Sequence, residues 1–412
     1  MPVGDPRFVA TLVFCGVYLG MLLGRYPRLR LDRTGIALLG AIVLFATGVT
    51  TLEQAQAAVD LPTLALLFSL MVVSAQLRLG GFYARLTGSL GRLRVGAAAL
   101  LLALVAVTGA LAAVFSNDVI CLAAAPVLIQ VCAARRLAPV PFLIALACAS
   151  NVGSAATLIG NPQNMLIGQT LRLSFTEYLR VAALPAALGL VATWAVIAIA
   201  TRGRWLAEAP PAAEEAPPEF DAWQTTKGLL VAAALLIAFL FSSWPREIVA
   251  LAGAGALLTS RRLHSRDMLG SVDWQLLVLF VGLFIVNDAF ARTGLPERAV
   301  EALARQGIEL EHLAWLMPLT VVLSNVVSNV PAVMLLLPVA THPLAGPSLA
   351  IASTLAGNLF LVGSIANLIV ADAAARRGIA IDWRTHARLG IPVTIVALSI
   401  AAACLAVTAG SR

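Results

Sequence analysis

Long apolar blocks separated by short polar connections dominate this chain, and they limit its fold more than any single motif does. Of its 412 residues, 60% are hydrophobic and only 12% are charged. A bilayer core holds no water to satisfy the backbone, so a spanning chain must form helices or a closed barrel. The blocks are continuous and rich in Leu, Ala and Val, and they lack the alternation of barrel strands. The sequence therefore predicts an all-α polytopic membrane protein.

The block lengths predict about 10 full transmembrane helices. Two further blocks, 95–134 and 313–342, do not fit single spans, because each has two apolar arms around a polar centre. Such a pair of arms forms either two full spans or one re-entrant helical hairpin, and two hairpins are the predicted fold. The predicted full spans are 8–24, 34–51, 61–78, 140–171, 179–201, 226–243, 247–260, 273–291, 347–374 and 389–409.

Basic residues are concentrated in alternate connections between the blocks. Cytoplasmic loops of membrane proteins carry an excess of Lys and Arg, which places the N-terminus outside and the protein in a bacterial inner (cytoplasmic) membrane. The net charge of +7 then belongs to the inner face of the membrane, and we expect no nucleic acid partner. The clusters assigned to the cytoplasm lie at 25–33, 78–94, 135–136, 202–227, 261–266 and 376–388.

The two halves of the chain resemble each other. Three segments of the first half match three segments of the second half in the same order, pairing Gly160 with Gly363 and Asn164 with Asn367. Because the first half holds an odd number of predicted spans, the second half must enter the membrane from the opposite side. Two inverted-topology repeats are therefore predicted. The matched segments begin at Val59 and Val272, at Ser116 and Ser328, and at Thr157 and Phe360.

A Pro- and Glu-rich stretch divides the two repeats. Its Pro, Ala and Glu content cannot build a core, so we predict a flexible cytoplasmic linker. The first inverted repeat covers 1–202, with hairpin 95–134 and broken helix 140–171; the linker covers 203–225; and the second repeat covers 226–412, with hairpin 313–342 and broken helix 347–374.

Inverted repeats are typical of secondary transporters, in which broken helices and hairpin tips form a binding site near the bilayer midplane. Gly160 permits an unwound backbone and Pro162 cannot continue the helix, so a break is predicted there, with Gly363 as its counterpart. A break frees amides that favour an anion and carbonyls that favour a cation. The residues predicted to bind substrate or ion are Ser116, Asn117, Asp118, Asn161, Asn164, Ser328, Asn329, Ser364 and Asn367.

Helix capping offers a simpler explanation for part of this set. Ser and Asn at a hairpin tip cap the returning helix, and Gly and Pro are common in membrane helices. Packing does not, however, require polar clusters at corresponding positions of both halves. The pairing therefore favours a binding site.

Asp118 breaks the symmetry, because its counterpart in the second half is Val330. An ionised carboxylate at the bilayer centre costs at least ~2.5 kcal/mol on insertion scales. No Lys or Arg lies in either hairpin block to neutralise it. We predict that Asp118 carries a proton or helps to hold a coupling cation; the alternative is a carboxylate satisfied by nearby backbone amides.

These motifs resemble those of the ArsB/NhaD-type ion transporter superfamily, which includes arsenite permeases, Na+/H+ antiporters, citrate carriers and silicic acid effluxers. The divalent anion–sodium symporters are more distantly similar. The resemblance covers nearly the whole chain and implies a homodimer with elevator-like alternating access. The matching segments are SNDV at 116–119, SNVGSAATLIGNPQN at 150–164, LSNVVSNVPAVMLLLP at 323–338 and AGNLFLVGSIANLIVAD at 356–372.

The resemblance also implies a Na+ site at each hairpin tip. Sodium–dicarboxylate members carry a Thr after each SN, whereas this chain has Asp118 and Val330. This departure argues against a sodium–dicarboxylate symporter and favours H+ coupling, although Na+ stays open. The implied sites are Ser116, Asn117 and Asn164 in one half, and Ser328, Asn329 and Asn367 in the other.

The expected function is secondary active transport of a small anion or oxyanion, arsenite-like, inorganic or carboxylate, coupled to H+ or Na+. A Na+/H+ antiporter is the alternative, and an ion channel is a further one. We expect no enzyme and no cofactor, since the chain lacks HExxH, paired intramembrane aspartates and a nucleotide-binding loop. The histidines expected to be solvated or interfacial are His264, His312, His342 and His386.

Overall fold

The computed structural model describes residues 5–23, 31–206, 219–260 and 262–410. Most of the predicted linker lies outside the described residues, and so do Arg25, Arg28, Arg30 and Arg261. The described part contains helices and no β-strand. The helices are α1 (Pro6–Leu23), α2 (Arg33–Ala46), α3 (Leu52–Ala58), α4 (Leu61–Leu79), α5 (Phe82–Gly91), α6 (Ala97–Ala112), α7 (Asn117–Ala134), α8 (Pro139–Ser154), α9 (Pro162–Thr170), α10 (Phe175–Ala200), α11 (Ala222–Phe241), α12 (Arg246–Leu258), α13 (Ser265–Leu269), α14 (Trp274–Ala291), α15 (Leu295–Arg305), α16 (Leu313–Val327), α17 (Asn329–Leu336), α18 (Ala345–Ala356), α19 (Ile365–Ala375) and α20 (Trp383–Gly410).

Seven of the described helices are long and apolar enough to cross a membrane: α1, α4, α7, α10, α11, α14 and α20. The prediction of an all-α polytopic membrane protein is therefore confirmed. Two predicted full spans form shorter helices, since α2 has 14 residues and α12 has 13. The last residues assigned to the linker already belong to α11, which begins at Ala222.

The two longest predicted spans, 140–171 and 347–374, are each interrupted. α8 ends at Ser154 and α9 begins at Pro162, while α18 ends at Ala356 and α19 begins at Ile365. Proline suits the first turn of α9, where its missing N–H is not needed. A side chain at Gly160 would place its Cβ only 2.3 Å from the Ser154 carbonyl oxygen, so glycine alone fits this interruption.

Both predicted hairpin blocks contain two helices around their polar centre. α6 and α7 are joined by residues 113–116, whereas α16 and α17 meet directly at Ser328. Ser328 has φ 80° and ψ 161°, a region that is almost restricted to glycine and costs on the order of 1–3 kcal/mol for other residues. Whether these pairs are re-entrant in a bilayer stays a prediction.

The matched segments of the two halves adopt the same local structure. Asp60 caps α4 through Thr63 N, and Asp273 caps α14 through Leu276 N. Both helices are followed by a glycine with φ 72°, Gly81 and Gly294, where the left-handed backbone favours glycine. This agreement supports a repeat, and its inverted orientation in the membrane stays a prediction.

The helices pack in two groups. In the first group, α2 packs along α14, and α4 packs along α11 and α12. In the second group, α6 packs along α8, α10 along α20, α16 along α18, and α7 along α8 and α19. Each group takes helices from both halves of the chain, so the halves cannot fold around separate cores.

Close packing of α6 against α8 is testable by substitution. A Cβ at Gly153 would lie 2.3 Å from the Gly109 carbonyl oxygen and 2.4 Å from its Cα. We expect Gly153→Ala to destabilise the fold by ~1–3 kcal/mol through overpacking, measured as a lower unfolding temperature in detergent. Gly255→Ala in α12 is the control, because its Cβ meets nothing within 4 Å. An equal loss of stability in both variants would contradict this close crossing.

Candidate functional site

A cavity of about 50 Å³ lies where the N-termini of α7, α9, α17 and α19 converge. Its wall contains residues from both halves of the chain and Leu276 from the first turn of α14. Among the predicted site residues, Ser116, Asn164 and Asn367 are not part of the wall. The polar side chains that line it are Asn117, Asp118, Asn161, Gln163, Ser328, Asn329 and Ser364.

The converging helix ends determine the electrostatics of the cavity. Each helix N-terminus presents unpaired backbone N–H groups and a partial positive charge, which favours an anion. The lining contains no Lys, Arg or His. Among the lining residues, the helix N-termini are therefore the source of positive partial charge.

Capping explains only some of the polar residues at these helix ends. Ser116 and Ser328 precede α7 and α17 but make no side-chain capping hydrogen bond. Asn161 does cap α9, since its Oδ1 accepts from Asn164 N at 2.9 Å, and Ser364 caps α19 by accepting from Ala366 N. The two hairpin serines therefore need another explanation than capping.

Asn164 and Asn367 lie outside the cavity wall and stabilise the two helix interruptions, α8–α9 and α18–α19. Both are buried, and each donates its two amide hydrogens to carbonyl groups of the interrupted segment. These amide nitrogens bond backbone carbonyl oxygens that would be paired within a continuous helix. The bonds join Asn164 Nδ2 to Ser154 O (3.2 Å) and Thr157 O (2.9 Å), and Asn367 Nδ2 to Gly357 O (2.7 Å) and Phe360 O (3.1 Å).

Asn151, on α8, connects the two halves and was missed by the sequence reasoning. Its Oδ1 accepts from Asn117 Nδ2 and from Ser364 Oγ, each at 3.0 Å. Its Nδ2 donates to Asn358 Oδ1 at 2.8 Å. One buried amide of the first half thus orients two cavity residues and holds the interruption of the second half.

Thr354, on α18, makes the reciprocal connection. Its hydroxyl accepts from Asn161 Nδ2 at 3.0 Å and from Gln163 Nε2 at 3.1 Å. The register that pairs Gly160 with Gly363 also pairs Asn151 with Thr354. Each half therefore uses the same helix position to hold the interruption of the other half, and extending the repeat alignment to these polar positions would have found them.

Four buried amide oxygens have no hydrogen-bond partner in the described part of the chain: Gln76 Oε1, which lies on α4 outside the cavity wall, and Asn117 Oδ1, Asn325 Oδ1 and Asn329 Oδ1. Such atoms are costly in an apolar interior unless something binds them. An amide oxygen accepts from a hydroxyl group or coordinates a small cation. Asn117 and Asn329 belong to the predicted cation sites, and Asn325 is an addition to them.

Asp118 lies in the first turn of α7 and lines the cavity. No hydrogen bond or ion pair holds its carboxylate within the described structure, so the backbone-amide alternative finds no support. Asp273, at the start of α14, is close enough for its charge to repel that of Asp118. Val330, its counterpart, lines the same cavity without charge.

The expectation of solvated histidines fails at His386. This residue, on α20, is only 1% exposed, and its Nε2 lies 3.0 Å from the Asn358 carbonyl oxygen. The interrupted α18–α19 segment frees that carbonyl from helical pairing, and the imidazole supplies the missing partner. A lone histidine near a helix end gives no such signal in the sequence.

Removing the amide of Asn151 should uncouple the two halves of the site. We expect Asn151→Leu to remove the bonds to four polar partners, lowering stability by ~1–3 kcal/mol per buried group left unpaired and abolishing transport in proteoliposomes. Thr193→Val in α10 is the control, because its buried hydroxyl bonds only Gly189 of its own helix. Full transport by the Asn151 variant would refute the role assigned here.

Comparison with known proteins agrees with this architecture. A profile of the citrate transporter family matches residues 18–348. The silicon efflux transporter LSI3 of rice (Oryza sativa subsp. japonica) is 30% identical, over 96% of this chain and 97% of its own. An uncharacterized transporter of Mycobacterium tuberculosis is 28% identical over 91% and 94% of the two chains. The putative transporter arsB of Dictyostelium discoideum is 23% identical over 95% and 90%.

A solved structure shares the fold. The YdaH transporter of Alcanivorax borkumensis superimposes with a TM-score of 0.59 at 14% identity, covering 99% of this chain and 98% of its own. The resemblance to the ArsB/NhaD superfamily is thereby confirmed, and the protein is an integral membrane transporter of a small solute. It belongs to the citrate transporter family.

Proposed function

We propose that this protein is a secondary active transporter of a small oxyanion, which binds in the cavity between the two halves and crosses by alternating access coupled to H+. The convergence of four helix N-termini on one cavity carries this proposal. Backbone N–H groups at such ends bind anions without a basic side chain. These backbone groups are the main donors of the wall, because the amide nitrogens of Asn161 and Gln163 are bonded to Thr354.

The cavity size favours a compact substrate. A volume of about 50 Å³ is only a few times the roughly 10–15 Å³ that one water molecule needs by the same measure. A tricarboxylate such as citrate is far larger and is usually held by basic side chains, which the lining lacks. A tetrahedral or trigonal inorganic oxyanion fits this volume better.

The relatives support the same class of substrate. The rice protein carries the name of a silicon efflux transporter, and the Dictyostelium protein is named after arsB. Silicon and trivalent arsenic occur in water as small hydroxides that lose a proton to form oxyanions. Hydroxyl groups of such a solute would also satisfy the orphaned oxygens of Asn117 and Asn329.

Asp118 provides the coupling in this proposal. An anion in the cavity would lie beside an ionised Asp118, and like charges at this range repel strongly in a low dielectric. Protonation of Asp118 removes that repulsion. Binding of the oxyanion and binding of the proton are therefore cooperative.

A Na+/H+ antiporter is the second candidate function. The unpartnered oxygens of Asn117, Asn325 and Asn329 favour it, because neutral amide oxygens coordinate a small hard cation. Asp118 would then exchange Na+ for H+. Proton flux that depends on Na+ and needs no oxyanion would distinguish this candidate.

We also propose an inner-membrane location, an N-terminus on the outside and a homodimer. The distribution of basic residues among the connections supports the orientation. The superfamily resemblance supports the dimer.

Asp118→Asn tests the coupling. We expect the native protein to carry silicate or arsenite in proteoliposomes under an imposed pH gradient, and the variant to lose this pH-driven flux, since an amide cannot exchange a proton. Asp372→Asn is the matched control, because Asp372 lies on α19 in an exposed ion pair with Arg376. If Asp118→Asn retains the pH dependence, the coupling role is wrong.

Ion binding at the second hairpin can be measured without transport. If Na+ binds, it should raise the unfolding temperature of the native protein in detergent, because a ligand that binds only the folded state stabilises it. Asn329→Ala should remove this shift. Choline chloride at the same concentration controls for ionic strength, and a shift that persists in the variant would exclude Asn329 as a ligand.

A further inference from the structure

A second cavity lies outside the transport site, between α5 and the C-terminal half of α7. Its volume is about 420 Å³, far larger than that of the transport cavity. Three arginines line it, and no acidic residue does. The polar part of the wall consists of Arg85, Arg92, Arg135, Ser89 and Gln130.

Two of the arginines are held in place by neighbouring groups. Arg85 stacks on the ring of Phe220, with its guanidinium carbon 4.6 Å from the ring centroid. Arg135 donates to the carbonyl oxygens of Leu93 (3.0 Å) and Val95. None of the three arginines lining the cavity forms a salt bridge with a described residue. Among the residues that the structure describes, no acidic side chain therefore neutralises these arginines.

The rest of the wall is apolar. Val127 and Val131 of α7 and Ala84 of α5 are buried and form its floor. Leu93 and Val95, in the connection from α5 to α6, are 41% and 38% exposed beside this cavity. A wall that combines arginines with aliphatic side chains matches an amphipathic anion, whereas a free phosphate ion would not contact the apolar part.

We propose that this cavity binds the phosphate headgroup of an anionic phospholipid, with the start of an acyl chain against Val127 and Val131. The sequence places its arginines in cytoplasmic connections, where anionic lipids are available. Arginine forms paired hydrogen bonds to phosphate oxygens.

The bound lipid would affect transport through α7. This helix begins at the transport cavity with Asn117 and Asp118, and its C-terminal half forms one wall of the lipid cavity. A headgroup held between Arg85 and Arg135 ties α7 to α5. The lipid cavity lies outside the proposed transport site. Under this proposal, a bound lipid restrains the movement of α7.

The test compares two double variants that remove equal charge. Arg85→Ala with Arg92→Ala changes the cavity, whereas Arg94→Ala with Arg136→Ala removes exposed arginines from the same region outside it. Arg135 is left intact because it holds the chain between α5 and α6. The full-length protein is reconstituted in phosphatidylcholine vesicles with and without phosphatidylglycerol, re-extracted in detergent, and analysed for retained lipid by native mass spectrometry.

We expect the native protein and the Arg94/Arg136 variant to retain phosphatidylglycerol, and the Arg85/Arg92 variant to retain about tenfold less, since each arginine contributes severalfold to anionic lipid affinity. Equal loss in both variants would show a diffuse surface charge effect and overturn the proposal. Displacement of the lipid by millimolar inorganic phosphate would also overturn it, in favour of a free anion. Unfolding temperatures of both variants verify that the fold persists, and if the Arg85/Arg92 variant fails to fold, Arg85→Lys with Arg92→Lys should recover retention.

Discussion

Two helices of this protein break inside its apolar interior, and each break leaves backbone carbonyls and amides without helical partners. The structure meets this constraint with buried amide side chains. Asn164 and Asn367 pair with the freed carbonyls of their own segments. Asn151 and Thr354 then hold the interruption of the opposite half. These four side chains fix the helix ends that surround the cavity between the two halves.

The same bonds decide which polar atoms remain for a ligand. Amide nitrogens are largely consumed by the scaffold, as in Asn117, whose Nδ2 bonds Asn151. The oxygens of Asn117 and Asn329 are left without partners. Backbone N–H groups at the helix ends remain as donors. The cavity therefore offers donors from the backbone and acceptors from side chains, a combination that suits an oxyanion with a hydroxyl group.

The sequence predicted much of this arrangement, and the failures have physical causes. Apolar block lengths located most helices, and glycine and proline at 160–162 located one interruption, because both are local properties. Asn151 and Thr354 were not predicted as site residues. They are chemically different residues at matched positions, so an alignment based on identical residues does not pair them. The burial of His386 was not predicted because it depends on the Asn358 carbonyl group, which the interruption between α18 and α19 leaves without a helical partner. The contact of His386 becomes visible only in the folded structure, whereas an alignment extended to polar positions would have found Asn151 and Thr354.

The reciprocal bonds also limit how the protein can move. Since each half holds the other's interruption, the two broken helices cannot separate without losing buried hydrogen bonds at both. In the alternating access proposed above, they move together against α4 and α14 of the first helix group. Asp118 lies on α7, in the second helix group, and Asp273 caps α14, in the first. Under this proposal the repulsion between the two carboxylates changes with the position of the site, which links movement to protonation of Asp118.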